Sequence, residues 1–257
     1  MIDLEKAQKA FLEYINKFDL KEISLERKFE HSFRVMEISN KIATNLNLEK
    51  EKIQLATLIG LLHDIARFEQ YTQYKTFSDI NSFDHGDYGV KLLEENNRIR
   101  EYIETDKYDN IIKKAIKNHN KFEIEQGLNE EELLFSKIIR DSDKLDIFYE
   151  IIEIFWKNEK DELEKGELTH KVKEQFYNRK IINRKDIADK EYTNEVVQVI
   201  AFIYDINFPI SFEIIKEEKY IDRMIDIFDF KKEETKKDFE KIRKIANEYI
   251  EEKRMIK

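Results

Sequence analysis

The chain contains no cysteine, which excludes disulfides, zinc–thiolate sites, iron–sulfur clusters and thiol catalysis at once. It has one proline and five glycines in 257 residues, so the breakers that punctuate sheets and hairpins are nearly missing. Strand-like alternation is also absent. No apolar run approaches the roughly 18 residues of a membrane span. The opening Met-Ile-Asp-Leu-Glu-Lys has no signal-peptide pattern. The expected location is therefore the cytoplasm, with no membrane partner. A basic stripe is missing too: the net charge is −9, which argues against a stable nucleic-acid partner but leaves room for a local basic pocket.

What is present reads as helix. Hydrophobic residues make up 41% of the chain, enough for a sizeable core, and charged residues 39%, mostly Lys and Glu at helical spacing. The expectation is an all-α protein. A first amphipathic helix is predicted over 3–18, on Ala7, Phe11, Tyr14 and Ile15. A second, over 24–46, carries Phe29, Val35, Ile38, Ile42 and Leu46, with His31 on the same stripe. A third, over 49–67, aligns Ile53, Ala56, Ile59, Gly60 and His63, and ends in Leu61-Leu62-His63-Asp64-Ile65-Ala66-Arg67. Residues 68–82 lack a clean period and are expected to form a loop. Asp84 is expected to cap the next helix with Asp87, and Gly86 and Gly89 share a bare face that lets another backbone approach.

Residues 108–119 repeat the pattern of the third helix: Ile112, Ala115 and Ile116 form a stripe that His119 ends. A helix over about 130–157 spaces Phe135, Ile139 and Asp143 by four. Beyond Trp156 the residues 157–195 are dense in charge and read as an exposed excursion, where His170 is an ordinary surface histidine. Apolar character returns over 196–208, ending near Pro209, and two helices are expected over 211–228 and 233–252.

The histidines decide the chemistry. His31, His63, His85 and His119, four of the five in the chain, fall on apolar stripes or helix ends, and Asp64 and Asp143 accompany them. A buried carboxylate is costly unless it is paired or holds a metal. Imidazoles and carboxylates without thiolates suit Mn, Fe, Co, Ni or Zn. Four imidazoles and two carboxylates suffice for two divalent ions, with one carboxylate bridging.

Three segments carry a resemblance. Lys28-Phe29-Glu30-His31-Ser32, Leu61-Leu62-His63-Asp64-Ile65 and Asp141-Ser142-Asp143-Lys144-Leu145-Asp146 together resemble the His…His-Asp…Asp pattern of the HD superfamily of metal-dependent phosphohydrolases, over roughly residues 24–150. The resemblance implies Asp143, rather than Asp141, as the ligand. His85 and His119 are similar to the additional ligands of the five-motif variant. By that similarity His31, His63 and Asp143 hold one metal, His85 and His119 the other, and Asp64 bridges. Residues 201–208 look like an extension found in uncharacterised bacterial members. The implied architecture is a single all-α unit over 1–257: an HD-domain helical bundle over 24–150, with a helical extension over 151–257 packed on it.

The implied reaction is hydrolysis of a phosphoester or phosphoanhydride in a small phosphorylated substrate, a nucleotide by expectation, through a metal-activated water. Asp64, Arg67 and Lys144 are the expected catalytic residues. Lys28, Arg67 and Lys144 are the expected substrate-binding cations, each one turn or less from a ligand in sequence. Glu30 and Asp141 are candidates for orienting the imidazoles. Two other functions share the pattern: a di-iron oxygenase of the same superfamily, and a metal-binding regulatory module without turnover. The substrate, the metal and the oligomeric state are not legible. Residues 71–82 and the segment after Trp156 are expected to select the substrate.

Overall fold

The computed structural model describes residues 2–153, 160–188 and 191–255. It is all-α, with no strand among the described residues. Two compact units are present, Met1–Asp143 and Lys144–Lys257.

The first unit begins with α1 (Leu4–Ile15), α2 (Ile23–Asn45) and α3 (Lys50–Leu62). Asp3 caps α1, its carboxylate accepting from the Lys6 amide at 3.0 Å, and Ala7, Phe11, Tyr14 and Ile15 are buried as their spacing predicts. The third helix is buried on every side from Leu55 onward, more than a single stripe predicts. A helix hydrophobic all round belongs in a core, and α3 lies against α1, α2 and the later α7 (Asp109–Asn118). Its closest approach to α2 is at Gly60. A Cβ there would lie 2.8 Å from the Met36 Cα and 2.9 Å from the Val35 carbonyl oxygen, so only glycine fits the crossing.

The expected helix over 49–67 is shorter than predicted. It stops at Leu62, and His63 to Ala66 form a tight turn held by Ile65 N–H to Leu62 O (3.1 Å) and Arg67 N–H to Asp64 O (2.9 Å). Bonds spanning three residues rather than four tighten the chain here, and α4 (Arg67–Tyr74) leaves the turn.

That helix corrects the loop expected over 68–82. Phe68 is fully buried against Phe11, Tyr14 and Phe18, with ring centroids 5.7–6.5 Å away. Only Phe68 and Gln70 of α4 are buried, so eight residues show no period. Lys75, with a left-handed φ of 54°, ends it, and Asp79–Asn81 form a 3₁₀ turn.

Asp84 then caps α5 (His85–Glu94), accepting from the Asp87 amide as predicted. A Cβ on Gly86 would lie 3.0 Å from the Lys117 carbonyl oxygen of α7, and one on Gly89 would lie 3.2 Å from Ile116. The bare face does admit a neighbouring backbone. α6 (Ile99–Tyr102) packs on α1, and α8 (Glu130–Glu153) belongs to this unit as far as Asp143.

The second unit contains the remainder of α8, then α9 (Lys160–Lys165), α10 (His170–Tyr177), α11 (Tyr192–Ile200), α12 (Pro209–Glu217), α13 (Tyr220–Asp226) and α14 (Glu233–Arg254). The excursion expected over 157–195 is folded in its described part. Leu163, Val172 and Phe176 are fully buried, and Thr193 Oγ1 donates to the Leu163 carbonyl at 2.9 Å. Sparse apolar residues between charges suffice for short helices with narrow buried edges, which is why the stretch reads as exposed. Trp156 and the helix end near 157 lie outside the described residues. The single helix expected over 211–228 is two, parted at Lys219 with φ 52°, and Pro209 is the first residue of α12. Tyr204, Phe212 and Tyr249 form an aromatic core between α12 and α14, with centroids 4.9 and 5.9 Å from the Tyr249 ring. No helix among the described residues is long and apolar enough to cross a membrane.

Candidate metal centre

Six side chains from five segments converge inside the first unit. His31 comes from the middle of α2, His63 and Asp64 from the turn after α3, His85 from the first residue of α5, His119 from the residue after α7, and Asp143 from α8. All four imidazoles and Asp64 are at most 3% exposed. The site thus sits where helix ends meet, and the Gly60 and Gly86 contacts bring those ends together.

The imidazoles form two pairs. His31 Nε2 lies 3.1 Å from His63 Nε2, and His85 Nε2 lies 2.9 Å from His119 Nε2. Asp64 stands between them. Its Oδ2 is 3.5 Å from His31 Nε2 and 3.7 Å from His63 Nε2. Its Oδ1 is 3.4 Å from His85 Nε2 and 3.5 Å from His119 Nε2. Asp143 lies nearest the first pair, with Oδ1 3.2 Å from His31 Nε2 and 3.7 Å from His63 Nε2.

The outer ring nitrogens explain what the inner ones are. His63 Nδ1 lies 2.8 Å from the Gly60 carbonyl oxygen and His119 Nδ1 lies 2.6 Å from the Ile116 carbonyl oxygen. A carbonyl can only accept, so each Nδ1 carries the proton and, in the neutral ring, each Nε2 presents a lone pair. His85 Nδ1 lies 2.8 and 2.7 Å from the two Asp79 oxygens, which has the same effect. Two Nδ1-protonated neutral rings at His85 and His119 would turn their Nε2 lone pairs toward each other across 2.9 Å. A cation resolves that arrangement: two nitrogens about 2.1 Å from one ion and at right angles stand about 3 Å apart. The residues present fit a metal, and the triads His31–His63–Asp64, His63–His119–Asp143 and Asp64–His85–His119 each bring their ligand atoms within 4.8 Å of one another.

Charge follows the same division. Burial lowers the pKa of His63, and pushes His85 down to about 3 with help from the Arg67 guanidinium, so both rings are neutral and able to ligate. Burial alone would raise Asp64, but the Lys28 ammonium, with His63 and Arg67, holds it well below the usual carboxylate range. Burial would likewise raise Asp143, and its hydrogen bond with His31 holds it well below the usual carboxylate range.

The expected cations occupy distinct places. Lys28 Nζ donates to Asp64 Oδ2 at 2.8 Å. Arg67 Nε is 3.5 Å from Asp64 Oδ1, while its Nη1 donates to Gln70 Oε1, the Phe77 carbonyl and Asp79 Oδ1 at 2.6, 2.6 and 3.1 Å. Lys144, in the second unit, pairs with Asp205 at 2.7 Å. Of the two candidates for orienting imidazoles, Glu30 is exposed and lies 3.6 Å from Arg34, and Asp141 is fully buried. His170 is a surface residue, its side chain 92% exposed. Sequence reasoning missed Asp79. Its neighbours Ser78, Ile80 and Asn81 carry no period, and the only signal was its place in a polar stretch just before His85.

The family model described as HD domain matches residues 29–147, a span that contains every one of the six converging side chains. No curated protein and no solved structure matches the chain.

Proposed function

We propose, from the HD-domain match over residues 29–147 and the six side chains inside it, that the chain hydrolyses a phosphoester or phosphoanhydride of a small, nucleotide-like substrate at a dinuclear centre. The observation that carries the reading is Asp64, whose two oxygens each face a different imidazole pair. His31, His63 and Asp143 would hold one ion, His85 and His119 the other, and Asp64 both. Bound there, the ions would supply Lewis acidity to a phosphoryl oxygen and to the attacking water.

The chain's own residues do the rest. Asp64, kept ionised by Lys28, contributes the negative charge that lets two cations share so small a volume. Lys28 and Arg67 bring fixed positive charge to the rim of the carboxylate, beside the position of a transferring phosphoryl group. The site is buried enough that such charges act with little screening by water.

The test is a phosphate-release screen on a nucleotide panel, run with Mn, Co, Ni, Mg and Fe(II), followed by turnover in oxygen-18 water. The expected result is label in the released phosphate. Product oxygen drawn from molecular oxygen would replace the reading with an oxygenase, and a loaded protein inert to every phosphoester would make it a binding module.

A further inference from the structure

The imidazoles are not all oriented in the same way. His63 and His119 each donate Nδ1–H to a carbonyl three residues earlier, Gly60 and Ile116, at the end of the helix they follow. Helix geometry supplies those acceptors at no further cost, because the last carbonyls of a helix lack partners. His85 cannot do this. It is the first residue of α5, so no carbonyl of its own helix lies three residues before it. Its partner is instead the Asp79 carboxylate, from the 3₁₀ turn Asp79–Asn81.

Asp79 is itself heavily held. Its Oδ1 accepts from Arg67 Nη1 at 3.1 Å and from Gln70 Nε2 at 2.9 Å, and its Oδ2 accepts from Asn120 Nδ2 at 3.1 Å. Gln70 is fully buried and also donates to Ser82 Oγ and the Phe83 carbonyl, at 2.8 and 3.0 Å. A surface aspartate does not need three such donors. The carboxylate lies on the far edge of the His85 ring from Nε2, so it acts through the imidazole and does not ligate.

We propose that Asp79 is the positioning residue of the second metal position: it fixes the tautomer and rotation of His85, and so sets how tightly the His85–His119 side of the centre binds its ion. The inference rests on the dinuclear reading above. A carboxylate behind a ligating imidazole also makes that ring a stronger donor than a carbonyl does. Because Arg67, Gln70 and Asn120 share the same carboxylate, α4, the turn and the end of α7 all depend on one side chain.

The experiment titrates Mn(II) into the chelated full-length protein, wild type against Asp79→Ala and the near-isosteric Asp79→Asn. Elemental analysis and electron paramagnetic resonance provide the readouts. The wild type is expected to take two ions and to give the spectrum of a spin-coupled pair. Both variants should keep the first ion at unchanged affinity and bind the second about 10–100-fold more weakly, so that the uncoupled mononuclear spectrum dominates at equal loading. A purely structural role for Asp79 would lower the melting temperature and leave the two binding steps intact. If Asp79→Asn, folded by circular dichroism, takes both ions with wild-type midpoints, the proposal is overturned. A wild type that binds fewer than two ions overturns the dinuclear reading, and this inference with it.

Discussion

The two sides of Asp64 are built from different material. On the Oδ2 side stand His31, His63 and Asp143, carried by the middle of α2, the end of α3 and α8, with Lys28 as counter-charge. On the Oδ1 side stand His85 and His119, with Arg67 Nε 3.5 Å from the oxygen, and His85 is aimed by a residue in a turn. The first side has more ligands and longer helices behind it. The second has fewer ligands and leaves more of an ion's coordination to solvent or substrate. Metal centres that do chemistry keep an open position, so under the dinuclear reading the tighter ion would lie on the Oδ2 side and the more open one on the Oδ1 side.

The largest disruption of that contrast is Asp64→Ala, which removes what the two sides share. It should abolish turnover and empty both positions, as elemental analysis and a phosphate-release assay will show; two bound ions in the variant would end the bridging assignment. Next come single-sided changes. His63→Ala should empty the Oδ2 side, whereas His85→Ala and His119→Ala should each lose one ion and keep the other. Metal-to-protein ratios of the three variants, measured side by side, separate these outcomes.

Smaller effects follow from the cations. Arg67→Ala should keep the first ion and slow turnover by about 10–1,000-fold, read from kcat/KM. Since Arg67 also holds Asp79, its variant should weaken the second ion as well, and Lys144→Ala should not.

The mildest perturbation is acid. Burial, with Arg67 adding, lowers His85 to about 3, and burial lowers His63. The unfolded chain takes up these protons near pH 6.5 while the folded chain refuses them, so stability falls as pH drops from about 6.5 toward the folded values. Asp64 and Asp143, held low in the folded state, add stability that is present above about pH 3.9 and is lost as pH falls through their own depressed values. Both contributions make the protein acid-labile. Thermal melts of the chelated protein should therefore be flat above about pH 7 and decline below about 6.5; a melting temperature that rises on acidification would contradict the assignment of neutral imidazoles.

Much of this was legible from spacing. Helix stripes placed α1, α2, α7 and α14 to within a few residues, because each buries one regular face, and the Asp84 cap marked where α5 begins. His31, His63 and His119 were readable because histidines at apolar positions are rare and these lay on or ended stripes; His85 stood at a helix cap, and the choice of Asp143 over Asp141 came from the resemblance. Asp79 was not, since a 3₁₀ turn has no period and its partners Arg67, Gln70 and Asn120 are remote in sequence. The break after Leu62 was hidden for a different reason. His63 and Ala66 keep right-handed helical dihedrals, so the sequence carries no breaker, and only the three-residue hydrogen bonds mark the turn. In the second unit, α9 and α10 bury too few residues to stand out against their charge.

The Lys28–Asp64 ion pair has a practical consequence at the bench. With an ammonium 2.8 Å from the Asp64 carboxylate, the protein carries a resident placeholder for part of the charge that a metal would bring. Chelated protein should accordingly keep its helical circular dichroism at neutral pH and recover activity on adding metal, without a refolding step. A preparation that has lost its ions is then a reagent rather than a casualty, and the choice of metal can be made in the test tube after purification.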